Sequence, residues 1–229
     1  DRAMKRRQFT SHVILMSAAG FPVAAFAGLF SESDAVAGVR TALERGATSA
    51  VSLLGRSDGF LGNPKVRIEL PGFLKDAAKL LKATGQGKRV DELVTAMNRA
   101  AEAAVPEAKA MLISAVKAMS VEDASKIVKG GETSVTQFFT TKTREPLSGK
   151  FLPIVERATE KVSLAKKYDA VAAKAAGLGL MKKEEANLNG YVTGKALDGL
   201  YFMIGEEEKK IRKDPIGTGS AILKKVFGG

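Results

Sequence analysis

The stretch NGYVTGKALDGLYFMIGEEEKKIRKDP, residues 189–215, decides the fold class of this chain. Its apolar side chains recur at three- and four-residue spacing, which places them on one face of an α-helix. Asn189 is a typical helix N-cap, and Asp214-Pro215 ends the pattern. We therefore predict an amphipathic helix over about 190–213, whose inward-facing stripe consists of Val192, Ala196, Leu200, Ile204 and Ile211.

The same spacing predicts further helices along most of the chain. They lie after Ser33-Asp34, at about 72–84 and 88–105, after Pro106, after the capping box Ser120-x-x-Asp123, after Thr133 or Ser134, around Tyr168 and 170–176, and, as a short basic helix, over 219–227. Their predicted ends or kinks are Gly55, Pro106, Gly130-Gly131, Pro146, Pro153, Gly177 and Gly179. We expect an all-α protein with seven to nine helices in a single bundle-like domain, residues 28–229.

One short segment breaks the helical pattern. Strict alternation of apolar and charged side chains is typical of an extended chain with one buried face. The alternation places apolar side chains at Val66, Ile68 and Leu70 and charged ones at Lys65, Arg67 and Glu69. Since the rest of the sequence offers no partner strand, we predict a single extended segment near 66–70, closed by Pro71, rather than a sheet.

Residues 4–27 have the composition of an export signal. Lys5-Arg6-Arg7 contains a twin-arginine pair, a moderately apolar stretch follows, and Ala25-Phe26-Ala27 has the small-x-small pattern of a cleavage site. The mild hydrophobicity favours the twin-arginine route over the general secretory route. We expect a cleavable signal peptide over 4–27 and a periplasmic location, with a retained membrane anchor as the alternative. No later run approaches the ~20 apolar residues of a transmembrane helix, so none is expected in the mature chain.

The composition restricts the chemistry of the exported chain. It has no Cys and one His, and His12 lies in the segment that is expected to be removed. Without thiols and imidazoles, the mature chain lacks the usual zinc ligands, disulfides and the Ser-His and Cys-His nucleophile pairs. Catalysis would have to use carboxylates, Lys, Tyr or Ser, and neither a cofactor nor a metal site is predicted.

The chain is basic, with 36 Lys and Arg against 25 Asp and Glu. Residues 1–27 carry four of the basic residues and one of the acidic ones, so the formal charge falls from +11 to +8 without them. A positive surface favours anionic partners. The basic residues are spread through helices beside acidic ones, which is typical of solvated helix faces. No basic motif interleaved with aromatic residues is present, so nucleic acid is not an expected partner.

Polar side chains flank the apolar stripe of the predicted 88–105 helix. Asn98 lies one turn after Val94, and Arg99 and Glu102 lie three residues apart on a neighbouring face. Such groups can line a pocket in which the arginine binds a carboxylate or phosphate. The alternative is an Arg99–Glu102 ion pair within the helix, worth about 0.2–0.5 kcal/mol. Asn98, Arg99 and Glu102 are therefore candidate ligand-binding residues.

Charged residues on the predicted 190–213 helix form a second candidate site. Asp198 lies among apolar neighbours and is expected to be partly buried, and Glu207 continues the apolar stripe beside Glu206. A carboxylate drawn inward needs a charged or hydrogen-bonding partner. Two such groups could act as a general acid/base pair or bind Ca²⁺ or Mg²⁺. The alternative is a structural network with Arg99, Lys195 or Arg212 as partners.

The loop that follows the first predicted helix is the third candidate. Its Asp-Gly and Asn-Pro pairs predict an irregular connection over 56–64. Because long irregular loops often carry function, Asp58 and Phe60 could contact a ligand or partner. The alternative is a turn that packs Phe60 and Leu61 into the core.

Three segments of the chain match the pattern of one family. They are LLGRSDGFLGNP at 53–64, MNRAAE at 97–102, and KALDGL at 195–200 together with Glu206-Glu207 and IRKDP at 211–215. Through these motifs the chain resembles the bacterial family of domains of unknown function DUF4197, over nearly all of residues 33–228. The resemblance implies a helical exported protein, typically with a signal peptide, and it implies no assigned activity.

Three functions fit these observations. The first is a periplasmic module that binds an anionic small molecule, a lipid or an envelope protein in a groove between helices, and the lack of His and Cys favours it over catalysis. The second is a hydrolase or lyase that uses Asp198, Glu206 or Glu207 with Arg99. The third is a structural envelope protein without a pocket. A cavity that collects Asn98, Arg99, Asp198 and Glu207 would favour the first two, and dispersal of these residues would favour the third.

Overall fold

The structure of the protein is a computed structural model that describes residues 32–131, 133–160, 165–177, 179, 182 and 186–214. All regular secondary structure in these residues is helical, which confirms the predicted all-α class. The α-helices are α1 (Glu32–Leu54), α2 (Lys75–Leu81), α3 (Gly87–Ala104), α4 (Ala108–Lys117), α5 (Val121–Lys129), α6 (Ser134–Thr159), α7 (Ala165–Gly177) and α8 (Leu188–Lys213). None of these helices combines the length and the apolar composition needed to cross a bilayer.

Two junctions join successive helices without a loop. Residues Lys82–Gln86 connect α2 to α3 through a kink, and a 3₁₀ turn, Val105–Glu107, connects α3 to α4. The kink lies at Thr84 and Gly85, and the Gly85 φ of +80° is readily adopted by glycine. Because these two junctions join α2, α3 and α4 into one kinked body, the eight α-helices of the described residues form six separate helical bodies. The predicted seven to nine is therefore slightly too high.

Helix α6 runs unbroken through two prolines that the sequence pattern predicts as breaks. Pro146 and Pro153 both lie inside its 26 residues. Proline removes an amide donor and clashes with the preceding turn, which weakens a helix interior by about 3 kcal/mol. Here α6 packs against α3, α4 and α8, and it buries Leu147, Phe151 and Val155 completely. Burial of such side chains stabilises by about 1.5–3 kcal/mol each, which offsets the loss.

Helix α8 occupies the centre of the core. Its contacts with α6 and α1 are the most extensive between helices of the described residues, and all five members of its predicted stripe are buried. Asn187, rather than Asn189, caps this helix, because its Oδ1 atom accepts the amide of Gly190 at 2.7 Å. Asn189 instead lies in the first turn, where its Oδ1 atom accepts the Thr159 hydroxyl.

The capping box of α5 is confirmed. The Ser120 hydroxyl accepts the Asp123 amide at 3.0 Å, and the Asp123 carboxylate accepts the Ser120 amide at 3.2 Å. Each partner therefore satisfies a backbone donor that the first helical turn would leave without one. The predicted helix around Tyr168 is also present, and it ends at Gly177.

Residues 66–70 keep the predicted alternation without forming a strand. Val66 and Ile68 are buried, whereas the charged side chains between and beside them are exposed. No strand pairs with this segment among the described residues. It runs instead along α8, and with its flanking residues 65–72 it forms one wall of a groove.

Two predictions concern residues outside the described part of the chain. They are the signal peptide over 4–27 and the short basic helix over 219–227.

Candidate functional site

The groove lies between the segment 65–72 and the outer face of α8, and its volume is about 800 Å³. Helix α8 supplies its second wall with side chains between Tyr191 and Phe202. Lys75 at the start of α2 and Lys182 complete the lining. The groove therefore joins parts of the chain that are more than 100 residues apart in sequence.

Gly199 allows the first wall to approach α8. A Cβ atom at this position would lie 2.7 Å from Cε1 of Phe60 and 3.3 Å from Cβ of Val66. The first distance is shorter than real Cβ contacts allow, so Phe60 packs directly on the helix backbone only because residue 199 has no side chain. Phe60 is fully buried there, as one of the two sequence alternatives predicts for the loop.

Asn98 lies beneath the first wall and is not among the residues that line the groove. It is fully buried on α3. Its Oδ1 atom accepts the Ile68 amide at 2.8 Å, and its Nδ2 atom donates to the carbonyls of Ile68 at 2.9 Å and of Val94 at 2.8 Å. One side-chain amide thus satisfies both backbone groups of a buried extended residue, which a neighbouring strand would otherwise do. The structure assigns this candidate residue to positioning the wall.

Glu102 and Arg99 form a network with the loop after α1. The buried Glu102 carboxylate accepts the amides of Phe60 and Leu61, both at 3.1 Å, and a hydrogen bond from Arg99 at 2.6 Å. Arg99 also donates to Asp58 at 2.8 Å. The hydrogen bonds with Glu102 and then with Asp58 raise the pKa of Arg99 above its usual value. Four predicted site residues therefore come together here, but they bind each other and hold the loop.

Asp198 is half-buried, since 50% of its side-chain surface is exposed, whereas its sequence neighbours on α8 are buried. Successive helix residues are about 100° apart, so buried sequence neighbours need not share a face with it. On α8 a narrow exposed strip of Lys195, Asp198 and Phe202 runs between buried faces. The Asp198 carboxylate binds Arg144 of α6 at 2.8 Å and lies 4.0 Å from the ammonium group of Lys195. It is a surface ion-pair partner at the wall of the groove.

Glu206 reaches from α8 to the opposite wall. Its carboxylate lies 2.9 Å from the ammonium group of Lys65 and 3.4 Å from that of Lys209. These two lysines, Lys65 first, lower the pKa of Glu206. Glu206 and Asp198 line one hollow of about 330 Å³ together with Arg144 and Lys209. Each carboxylate in that hollow therefore already has a basic partner.

Glu207 points towards α1. Its side chain is largely buried, as its place in the apolar stripe predicts, and its carboxylate accepts the Ser49 hydroxyl at 2.7 Å. Lys210 forms an ion pair with its other oxygen. The side chain of Arg212, which the sequence also indicates, lies outside the described part of the structure. Glu207 thus joins α8 to α1 and lines neither the groove nor the smaller hollow.

The predicted cavity that would collect Asn98, Arg99, Asp198 and Glu207 is not formed by the described residues, in which each of the four has its own partners. Within the same part of the chain, no group of three or more Asp, Glu or His side chains is arranged to hold a metal ion. The groove between the segment 65–72 and α8 is a separate site from that cavity. Among the site residues predicted from the sequence, Asp198 lines this groove.

Positive charge dominates the groove. The side chains of Lys65, Arg67, Lys75, Lys182 and Lys195 line it. Two carboxylates, Glu69 and Asp198, also line it, and both are already in ion pairs, Glu69 with Arg67 at 2.6 Å. Lys75 and Lys182 form no ion pair within the described residues. A concave surface with an excess of one charge focuses its field on the enclosed solvent, which attracts anions.

Aromatic rings complete the groove. The Tyr191 hydroxyl donates to the Glu69 carbonyl at 2.7 Å and so ties α8 to the first wall. The Lys195 ammonium group lies 5.7 Å from the centre of the Tyr191 ring, within the range of a cation–π contact. Phe202 adds a second ring, 42% exposed. The groove therefore offers apolar contact area beside its charges.

Sequence reasoning missed the basic residues of the groove, although two patterns pointed to them. Side chains two residues apart on an extended segment share a face, which places Lys65 and Arg67 together. Side chains four residues apart on a helix are neighbours, which places Tyr191 beside Lys195. Neither pattern reveals that the two surfaces face each other, since that depends on the packing at Gly199 and Asn98.

Comparison with known families gives one match. The family model described as "Protein of unknown function (DUF4197)" matches residues 29–228, which confirms the resemblance seen in the motifs. No curated protein and no solved structure matches the chain.

Proposed function

This chain belongs to the DUF4197 family of proteins of unknown function, and we propose that it binds an anionic ligand in the groove between the segment 65–72 and α8. The observation that carries the proposal is the charge of the groove. Five cationic and two acidic side chains line a groove of about 800 Å³, and of the cations Lys75 and Lys182 form no ion pair within the described residues. Clefts with a few convergent polar groups are the usual ligand sites of proteins.

The groove collects its cations from more of the chain than other basic surfaces do. Several lysines elsewhere pair along their own helix, as Lys126 does with Glu122 at 2.7 Å and Lys79 with Asp76 at 3.5 Å. Pairs of this kind are typical of solvated helix faces. Another hollow, of about 640 Å³, is lined by three lysines from two helices, whereas the five groove cations come from four separate parts of the chain and face one space. This convergence supports a binding role.

Lys75 and Lys182 are the cations best placed to bind an anion without first breaking an ion pair of the described structure. An exposed ion pair contributes about 0.2–1 kcal/mol. A few such contacts correspond to a dissociation constant of about a millimolar or weaker for a small anion alone. Tighter binding therefore requires contacts beyond the charged group.

Catalysis by carboxylates has less support. The hydrolase or lyase hypothesis combines Arg99 with Asp198, Glu206 or Glu207, yet Arg99 is engaged by Glu102 and the loop. A general acid needs a raised pKa, whereas that of Glu206 is lowered by its lysine partners. The dispersal of Asn98, Arg99, Asp198 and Glu207 is the outcome expected for a purely structural envelope protein. Such a protein would need no basic groove, however, so the groove supports a binder over that alternative.

We also propose that the protein is exported to the periplasm, on the basis of the twin-arginine segment over 4–27. Cell fractionation and N-terminal sequencing of the native protein test this proposal. A mature N-terminus close to Gly28 in the periplasmic fraction supports it, and an intact N-terminus in the cytoplasm contradicts it.

The binding proposal is tested by nuclear magnetic resonance with methyl phosphate as the probe. We expect the amide shift changes to concentrate at residues 65–75 and 191–202 and to give a millimolar dissociation constant. Changes spread evenly over the basic surface would contradict a defined site.

A matched pair of variants sharpens this test. Lys75→Glu and Lys109→Glu both reverse an exposed lysine in the first turn of a helix, and only Lys75 lines the groove. Glu in a first turn is compatible with the helix dipole, so both variants are expected to fold. Lys75→Glu should weaken methyl phosphate binding at least threefold, and Lys109→Glu should leave it unchanged. Equal effects of both variants would show that net charge, rather than the groove, attracts the anion.

A further inference from the structure

An apolar slot of about 310 Å³ lies beside the groove, between α2, α3 and α7. Eight leucine, valine and alanine side chains from the region 70–93 line it, together with Lys167 and Tyr168. In the described chain its wall therefore contains one charged group. A surface of this composition gains free energy when hydrocarbon replaces water.

Helix α2 leaves the slot open. It has seven residues, none of them buried, and Leu80 is 66% exposed. The bend at Gly85 turns the chain from α2 into α3, and both helices line the slot. Leu80 therefore lies exposed at an apolar concave surface, which is the composition typical of ligand sites.

Two contacts join the slot to the groove. Leu70 lines both. Tyr168 of the slot and Tyr191 of the groove are neighbours, with ring centres 5.9 Å apart. A ligand that spans the two spaces would therefore pass one leucine side chain and run beside the tyrosine pair.

We propose that the groove and the slot form one site for an anionic amphiphile. The groove binds its phosphate or carboxylate head, and the slot holds its hydrocarbon chain. The proposal rests on the proposed anion binding and names the class of ligand. Charge complementarity supports it at one end, and an apolar cavity that the described residues leave unfilled supports it at the other, with Leu70 and the tyrosine pair between the two. A free fatty acid and a single-chain phospholipid share this chemistry.

Burial of the hydrocarbon chain in the slot also supplies affinity that the anionic head group alone does not provide. Burial of a methylene group tightens binding by about fourfold, since it contributes roughly 0.8 kcal/mol. About five buried methylenes would thus convert the millimolar binding of a small anion into micromolar binding.

The experiment is a chain-length series measured by isothermal titration calorimetry below the micelle concentrations. Butyl, hexyl and octyl phosphate are compared with the alkanoates of the same lengths and with a lysophospholipid. The relative affinities for phosphate and carboxylate head groups distinguish a single-chain phospholipid from a free fatty acid. We expect affinity to rise by about fourfold for each methylene that enters the slot. Equal affinities along the phosphate series, with methyl phosphate binding intact, would overturn the slot and leave the groove. Loss of all anion binding would instead overturn the proposed function.

Variants locate the tail. Ala77→Phe fills the slot from an exposed position on α2, and Ala103→Phe makes the same change at an exposed position of α3 away from the slot. Ala77→Phe should lower octyl phosphate affinity at least tenfold and leave methyl phosphate affinity unchanged, whereas Ala103→Phe should change neither. If Ala77→Phe does not fold, Leu80→Gln is tested in its place. Leu80→Gln should reduce the increase in affinity that each added methylene gives. An unchanged chain-length series in the folded slot variant would place the tail elsewhere and overturn the proposal.

Discussion

Asn98 and Ile68 exchange two hydrogen bonds, since the Asn98 Oδ1 atom accepts the Ile68 amide at 2.8 Å and its Nδ2 atom donates to the Ile68 carbonyl at 2.9 Å. Both residues are buried, and 30 positions separate them in sequence. This pair holds an extended segment against α3, and the described part of the chain places no strand beside it. The wall of the basic groove depends on it.

Replacement of Asn98 by Ala should lower the free energy of unfolding by about 2–4 kcal/mol, because both backbone groups of Ile68 then lose their buried partner. Urea denaturation of the purified chain measures the change. Thr95→Ala, at an exposed position of the same helix, is the control and should stay within about 0.5 kcal/mol. Equal stability of the two variants would contradict the role of Asn98.

Glu102→Gln should destabilise less than Glu102→Ala. The glutamine oxygen can still accept the amides of Phe60 and Leu61, but Arg99 loses one of its two carboxylate partners and keeps only Asp58, which costs about 1–2 kcal/mol. Alanine also leaves both amides without an acceptor, for a total of about 3–5 kcal/mol. Denaturation curves of both variants, with the exposed Glu92→Gln as control, check this order. If Glu102→Gln destabilised the protein more than Glu102→Ala, the hydrogen bonds from the Phe60 and Leu61 amides would contribute little to stability.

Substitutions at two glycines should act in opposite directions. Gly199→Ala places a Cβ atom 2.7 Å from Phe60 and should destabilise by about 1–3 kcal/mol through overpacking. Gly149→Ala meets nothing within 4 Å inside α6 and should stabilise by about 0.5–1 kcal/mol, since alanine favours the helix. Thermal unfolding of both variants tests the pair. A neutral Gly199→Ala would show that the loop does not pack tightly on α8.

The capping box of α5 should make stability depend on acid pH. The Ser120 backbone amide lowers the pKa of Asp123, assisted by the Ser120 hydroxyl, Lys142 and Lys126. Because the folded pKa lies below the unfolded one, the stabilisation is present above about pH 4 and is lost as the pH falls through the folded pKa. Asp123→Asn should therefore be less stable than the natural chain at pH 7, and the difference should shrink towards pH 2. A difference that does not change with pH would exclude the charge as its source.

Ser120→Ala removes the other half of the box. The loss of the hydroxyl acceptor should lower the free energy of unfolding by about 0.5–2 kcal/mol. Amide hydrogen exchange should become faster at Asp123, whose amide loses its acceptor in the first turn of α5. Unchanged exchange there would contradict the cap.

Much of the helical architecture was predictable because its causes are local. The buried stripe of α8, the box at Ser120 and Asp123, and the end of α7 at Gly177 all follow from spacing and capping chemistry within a few residues. The prediction went wrong at Pro146 and Pro153. A proline disfavours a helix through its own turn, which is a local effect. The burial that outweighs this cost comes from packing against helices far along the chain.

The candidate sites were less predictable because side-chain neighbours in space are not neighbours in sequence. Arg99 and Glu102 pair within α3 as one sequence alternative predicts, yet the loop amides that complete their network cannot be inferred from spacing. Asp198 is exposed although the residues around it are buried, because a helix turns adjacent residues to different faces.

The sequence by itself determined the all-α class, the family, most helix limits and the alternation of the segment 66–70, since periodicity, caps and motifs are properties of short stretches. Only the tertiary structure decided which charges share a space. The groove exists because Gly199 and Asn98 bring a basic segment against α8, and the slot exists because α2 bends away at Gly85. Local patterns set which face of each element is apolar, whereas long-range packing sets which faces meet.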